Sequence, residues 1–160
     1  MFFLTAALAV ATAQGQGASP EASLLPSLDK WSYDAGAEAG AASGELAEDG
    51  PNGATVLVID QPTGNGRASW STAMPVEGGR LYRFRVAWRV VQKVAKAQLA
   101  LRIDLRDRET REIRVTRLST VASNEWNETI VDIPTFEDSS RLQLDVAWSH
   151  GRGRVQIRPI

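Results

Sequence analysis

The sequence predicts an all-β fold, an antiparallel β-sandwich of about eight strands in two sheets. Three observations lead there. The stretch Arg80–Asp107 contains two long alternating runs. Tyr82, Phe84, Val86, Trp88 and Val90 share one face against Arg83, Arg85, Ala87 and Arg89. Leu99, Leu101, Ile103 and Leu105 share one face against Gln98, Ala100, Arg102, Asp104 and Arg106. Side chains alternate between the faces of a strand, so each run has one buried and one solvated face. Shorter runs of the same kind recur along the chain, separated by turn residues such as Pro62-Thr63-Gly64-Asn65-Gly66. No stretch carries a strong helical period. The Ala-rich segment after Asp34 is interrupted by Gly36, Gly40 and Gly44, which disfavour a helix.

The chain has 160 residues, enough for one domain with its own core plus a short processed segment. It has no cysteine, which excludes disulfides, thiolate chemistry and cysteine-ligated zinc. The formal net charge is −1, but the charges are segregated. Arg80–Arg117 holds twelve Lys and Arg against four Asp and Glu; Glu21–Asp60 holds eight acidic residues against one Lys. A nucleic-acid-binding domain is usually basic overall, so nucleic acid is not predicted as a partner. The acidic and basic regions are expected to compensate each other in the fold.

In chain order, residues 1–13 read as a secretory signal peptide. Phe2–Ala11 is an apolar run and Ala11-Thr12-Ala13 a small-x-small cleavage pattern, although no Lys or Arg precedes the run. The run is too short for a membrane span, which needs about 20 apolar residues. A secreted or periplasmic location follows, with no membrane span in the mature chain. Residues 14–27 form a Gly, Ala, Ser and Pro-rich linker, and 28–160 the β-sandwich domain. Leu28–Tyr33 predicts a first strand, and Asp34–Gly53 a weak strand with a long loop. Eight strands follow: Thr55–Asp60, Arg67–Val76, Arg80–Val91, Gln98–Asp107, Glu112–Val121 with Ile113 and Val115 inward, Trp126–Ile133, Arg141–Ser149 and Arg154–Ile160.

Eight antiparallel strands with two Greek keys make a jelly roll. One sheet then holds Thr55–Asp60, Arg154–Ile160, Arg80–Val91 and Trp126–Ile133, and the other holds the remaining four. The two long runs of the basic stretch therefore belong to different sheets, facing each other across the core; a simple hairpin is the alternative.

The segments Gly64-Asn65-Gly66-Arg67-Ala68-Ser69-Trp70 and Pro75-Val76-Glu77-Gly78-Gly79-Arg80-Leu81-Tyr82-Arg83-Phe84 resemble the galactose-binding-like jelly rolls. Many of these are carbohydrate-binding modules of secreted bacterial glycoside hydrolases. Trp126 with Ile133-Pro134, and the ending Gly153-Arg154-Val155-Gln156-Ile157, are similar too, so the resemblance covers about Trp31 to Ile160. It implies a non-catalytic domain that binds a polysaccharide or other glycan on the outer face of one sheet. Members of that family often hold a structural calcium between an Asn-x-x-Phe-Glu start and an Asp in the last strand. Here Lys30-Trp31-Ser32 and Arg158-Pro159 stand at those places, so no metal or other cofactor is predicted, although the Asp49–Gly53 loop offers oxygens for a weak ion.

The candidate ligand residues lie on that outer face: Arg102, Asp104, Arg114, Gln143 and Asp145, beside the small Ala100 and Ala147. Arg102 and Arg114 offer planar donor forks suited to a uronate carboxylate or to hydroxyls. Cross-strand Arg–Asp pairing is the competing reading. Trp31, Trp88, Trp126 and Trp148 are expected to be structural. Trp70 shares its phase with Ala68 and Thr72 and reads first as core, but its neighbours Ser69 and Ser71 are polar, which makes it the best candidate of the five for an exposed aromatic. On the other sheet, Arg83, Arg85 and Arg89 are expected to pair with Glu128 and Asp132. Catalysis is not predicted and no catalytic residue is assigned. His150 is the sole histidine, no Gly-x-Ser-x-Gly elbow exists, and Asp104 lies beside arginines that oppose a general-acid role. The alternative to glycan binding is a structural or adhesion domain of the bacterial envelope that binds a protein partner.

Overall fold

A computed structural model describes residues 25–36, 42–63, 66–94, 96–106 and 111–160. The expected signal peptide and most of the expected linker lie outside them. Ten strands form: β1 (Ser32–Asp34), β2 (Ser43–Ala47), β3 (Val56–Gln61), β4 (Arg67–Pro75), β5 (Leu81–Val94), β6 (Gln98–Arg106), β7 (Arg111–Leu118), β8 (Asn127–Pro134), β9 (Arg141–Ser149) and β10 (Arg152–Pro159). Leu28–Lys30 is a 3₁₀ turn, so the first strand begins only at Ser32. Among the described residues no helix is long and apolar enough to cross a membrane.

The strands make two five-stranded antiparallel sheets. Sheet I runs β1-β4-β9-β6-β7 and sheet II runs β2-β3-β10-β5-β8. The eight expected strands fall into these sheets as the jelly-roll pattern assigns them, and β1 and β2 add one edge strand to each. The long strands β5 and β6 are in different sheets, so their connection is a crossover and not a hairpin. Phe84, Val86, Trp88 and Val90 from sheet II meet Leu99, Leu101, Ile103 and Leu105 from sheet I in one buried cluster. Burial of such apolar area is the main stabilising term, at about 25 cal/mol per Å².

Four tryptophans lie in this core, and three of them show how an indole is buried without an orphaned N–H. Trp70 donates from Nε1 to the Val58 carbonyl at 2.9 Å, Trp88 to Ser119 at 2.9 Å and Trp148 to Gly151 at 2.9 Å. Trp31, the fourth, is also buried. The added edge strands close one side of the sandwich. Tyr33 of β1 packs on Trp70, ring centroids 5.3 Å apart. Gly44 of β2 faces that ring, and a Cβ there would collide with it. This close approach explains a glycine in a segment that cannot be a helix.

One strand has the opposite phase to the expected one. Leu99 pairs with Leu118, Leu101 with Thr116, Ile103 with Arg114 and Leu105 with Glu112. Leu118 is buried, whereas Ile113 is 45% and Val115 61% exposed. Ile113 and Val115 therefore point outward, and Glu112, Arg114 and Thr116 point to the inner side. As a sheet edge, β7 has an inner side that is only partly covered, so these three polar residues stay half-buried. Arg114 pairs there with Glu112 at 2.5 Å.

Candidate functional site

Sheets I and II present very different outer surfaces. On sheet II, Arg83 pairs with Asp132 at 2.8 Å and Arg85 with Glu128 at 3.3 Å, the expected ladder between β5 and β8. The Arg83 guanidinium holds the Asp132 carboxyl below the usual carboxylate range. Arg89 departs from that ladder. It donates to Gln156 Oε1 at 2.8 and 2.5 Å and to Asp49 Oδ2 at 3.3 Å, and it lies 5.2 Å from the Trp126 ring centroid. Gln156 donates in turn to Asp49. The Asp49 carboxylate, the charged oxygen donor of the 49–53 loop, is thus engaged by protein groups. Gln156 is outward in phase yet 1% exposed, held against this loop by its hydrogen bond to Asp49.

Sheet I differs in the side chains it presents. Its register sets the rows of the outer face. Ser69, Ala147, Ala100 and Arg117 form one row; Ser71, Asp145, Arg102 and Val115 the next; Ala73, Gln143, Asp104 and Ile113 the third. Pro75, Arg141, Arg106 and Arg111 close one end. Alternation along five strands brings these side chains together, and no aromatic residue stands among them.

Two carboxylates on this face are nearly buried and fully engaged. Asp104, 4% exposed, accepts from Arg111 at 2.5 Å and from Arg106 at 3.3 Å, with Arg102 at 3.5 Å. The Arg111 hydrogen bonds, then the Arg106 contact, lower its pKa to about 2 despite burial, which acts the other way. Asp145 is held by Arg67 through both oxygens at 2.6 and 2.5 Å. To reach Asp145 from opposite Ser149, the Arg67 side chain must cross the Ser69–Ala147 row. That crossing accounts for the low exposure of two small residues on an open face, 4% and 7%. The space above the small Ala147 is therefore partly roofed by the Arg67 side chain, and the lower floor is at Ala100.

Of the residues singled out from sequence, Arg102, Asp104, Gln143 and Asp145 come together on this face. Arg114 does not, because β7 has the other phase. Trp70 does not either: it is 7% exposed and points into the core. Reading by pattern missed Arg67, Arg111, Arg117 and Arg141. Arg111 falls just before the strand expected at Glu112–Val121, yet it makes the shortest contact to Asp104. The signal for Arg111 and Arg117 was the buried Leu118, which shares the phase of the inner face and sends the odd-numbered residues of β7 outward.

Asp104 is poorly suited to act as the proton donor of glycoside hydrolysis. A general acid there requires a raised carboxyl pKa, and Asp104 has a lowered one. Among the described residues no group of His, Cys, Asp and Glu is spaced to hold a metal ion.

No protein-family model matches the chain, and no curated protein sequence matches it. Solved structures do. The C-terminal family 22 carbohydrate-binding module of Clostridium thermocellum Xyn10B superposes with a TM-score of 0.59 at 17% identity, over 83% of this chain and 85% of that one. The chain and that module share a β-sandwich fold. A family 61 module, solved in complex with β-1,4-galactotriose, matches over 81% of this chain and 87% of its own, with a TM-score of 0.53 at 15% identity. The enzymatically active domain of bacteriophage CBA120 tailspike protein 4 also matches, with a TM-score of 0.63 at 15% identity, over 82% of this chain. The module fold spans only 19% of that tailspike chain.

Proposed function

We propose that this protein is an exported, non-catalytic carbohydrate-binding domain whose ligand surface is the outer face of sheet I. The observation that carries the reading is the asymmetry of the sandwich. One outer face carries a charge ladder and, at Gln156, the loop at Asp49; the other is lined with Arg, Gln, Ser and Asp side chains that can hydrogen-bond to hydroxyls. The module fold supports the same assignment. Arg102, Gln98 and Gln143 would make the polar contacts, and the Arg67–Asp145 and Arg111–Asp104 pairs hold the floor rigid.

Pull-down on insoluble polysaccharides together with a glycan array tests it. Retention that is lost in Arg102→Ala and kept in Arg85→Ala, on the other sheet, is the expected result. No retention on any glycan overturns the reading.

A second reading has its own support. With Trp31, Trp70, Trp88 and Trp148 buried and no aromatic on the open face, rings cannot stack there on a sugar. Ile113 and Val115 instead expose apolar surface beside Arg117, which suits a protein partner of the envelope better than a glycan. Capture of a protein in place of any glycan would select it.

A further inference from the structure

Resting on that reading, the geometry points to a polysaccharide with repeated carboxylates, a polyuronate, as the ligand class of the outer face of sheet I. Counted over the outward positions of its five strands, the face carries six arginines (Arg67, Arg102, Arg106, Arg111, Arg117 and Arg141) against three aspartates (Asp34, Asp104 and Asp145). Asp104 and Asp145 are nearly buried and already engaged by guanidinium groups. The surplus is therefore positive and lies outermost.

Two of these arginines have no side-chain partner among the described residues. Arg117 and Arg141 are exposed and make no ion pair or side-chain hydrogen bond with any described residue. Arg102 touches only a carboxylate that Arg111 and Arg106 already share. A guanidinium is a planar fork of donors that matches a carboxylate through two parallel bonds. Arg117 stands opposite Ala100, diagonal to Arg102, so two forks flank the lowest part of the face. Arg141 stands opposite Arg106 at the far end. Positions 100 and 106 of β6 are six residues apart, so the unpaired guanidiniums are separated by about 20 Å along the strands. A single small anion cannot bridge that span; a chain of several sugars can.

A neutral glycan is a poorer match, because it would have to bind without ring stacking and leave the forks uncompensated. Nucleic acid is also poorer. A single strand is gripped by stacking on aromatic side chains, which this face lacks, and the whole chain carries a net charge of −1.

The test is binding of the full chain to polygalacturonate and to its methyl-esterified form, which keeps the backbone and masks the carboxylates, by affinity electrophoresis and calorimetry. Xylan, galactan and single-stranded DNA complete the set. The expected result is binding to the free acid that weakens with added salt and falls at least about 10-fold in Arg117→Ala and in Arg102→Ala, with unchanged thermal midpoints and with Arg85→Ala at wild-type affinity. Equal binding of the esterified form, or binding confined to xylan or galactan, overturns the polyuronate assignment while leaving the glycan reading intact. Equal binding of DNA overturns it as non-specific charge attraction. Binding of no glycan overturns both.

Discussion

The outer faces of the two sheets use the same residue, arginine, to opposite ends. On sheet II, Arg83, Arg85, Arg89 and Arg154 each have a carboxylate within 3.3 Å, supplied by β8, by β2 and β3, or by the loop at Asp49. Those four charges are matched within the fold, while Arg152 and Arg158, on the same outward phase of β10, have no ion pair among the described residues. On sheet I, two aspartates sit at the level of the sheet and the arginines surround them, so guanidinium groups are left over. The difference comes from strand neighbours. β8 and β3 present acids beside the basic strands of sheet II, whereas β7 presents Arg111 and Arg117 beside a strand that already carries Arg102 and Arg106. A basic stripe in the sequence is thus not a ligand site by itself; what decides is whether the adjoining strand neutralises it.

The sharpest way to break the contrast is to open the closed face. Arg89 is 20% exposed at its side chain and links Gln156, Asp49 and Trp126. Arg89→Ala leaves the buried Gln156 carbonyl oxygen without its donor, at a cost of up to about 3 kcal/mol. Urea unfolding should register that loss, with glycan binding unchanged. A loss of binding without a loss of stability would move the functional face to sheet II.

Next in size is the carboxylate that anchors the open face. Free of the fold, the Asp104 carboxyl titrates near 3.8; in the folded protein it titrates near about 2. The unfolded chain takes up the proton first as the pH falls. The stabilisation from Asp104, about 2 kcal/mol, is therefore complete above pH 4 and disappears between pH 4 and 2. Asp104→Asn should lower neutral-pH stability by about that amount and flatten the acid limb of the stability curve. A wild-type limb retained in the variant would mean that other carboxylates carry it.

The fold was legible because its signals are redundant. Four or five alternating apolar residues in β5, β6 and β9 leave one consistent phase, and a slip by one residue would expose the whole set. Glycine and proline mark the turns between them. The site was legible only where it borrowed those phases: Arg102, Asp104, Gln143 and Asp145 follow directly from the inward leucines beside them. Arg67 and Arg111 were not, because their roles are made by long side chains reaching across rows to Asp145 and Asp104. No local pattern encodes that reach. Trp70 shows a further limit. Its phase reads as core, and the polar neighbours that kept exposure open, Ser69 and Ser71, are simply the other face of its strand.

The smallest predicted effect decides the phase of β7, on which the surplus of arginines depends. Two β-branched residues, Ile113 and Val115, suggest one phase, and Leu118 alone suggests the other. Leu118 prevails in the structure because it packs beside Leu99, while the reversed phase also delivers Arg111 to Asp104. At an edge strand, leaving Ile113 and Val115 half in water costs less than losing both contacts. Ile113→Thr should then change stability by less than about 0.5 kcal/mol, as for a surface substitution. Were Ile113 inward, the same change would bury a hydroxyl and remove core volume, costing more than about 1 kcal/mol. That outcome would turn Arg117 away from the open face and remove one of the two forks beside Ala100.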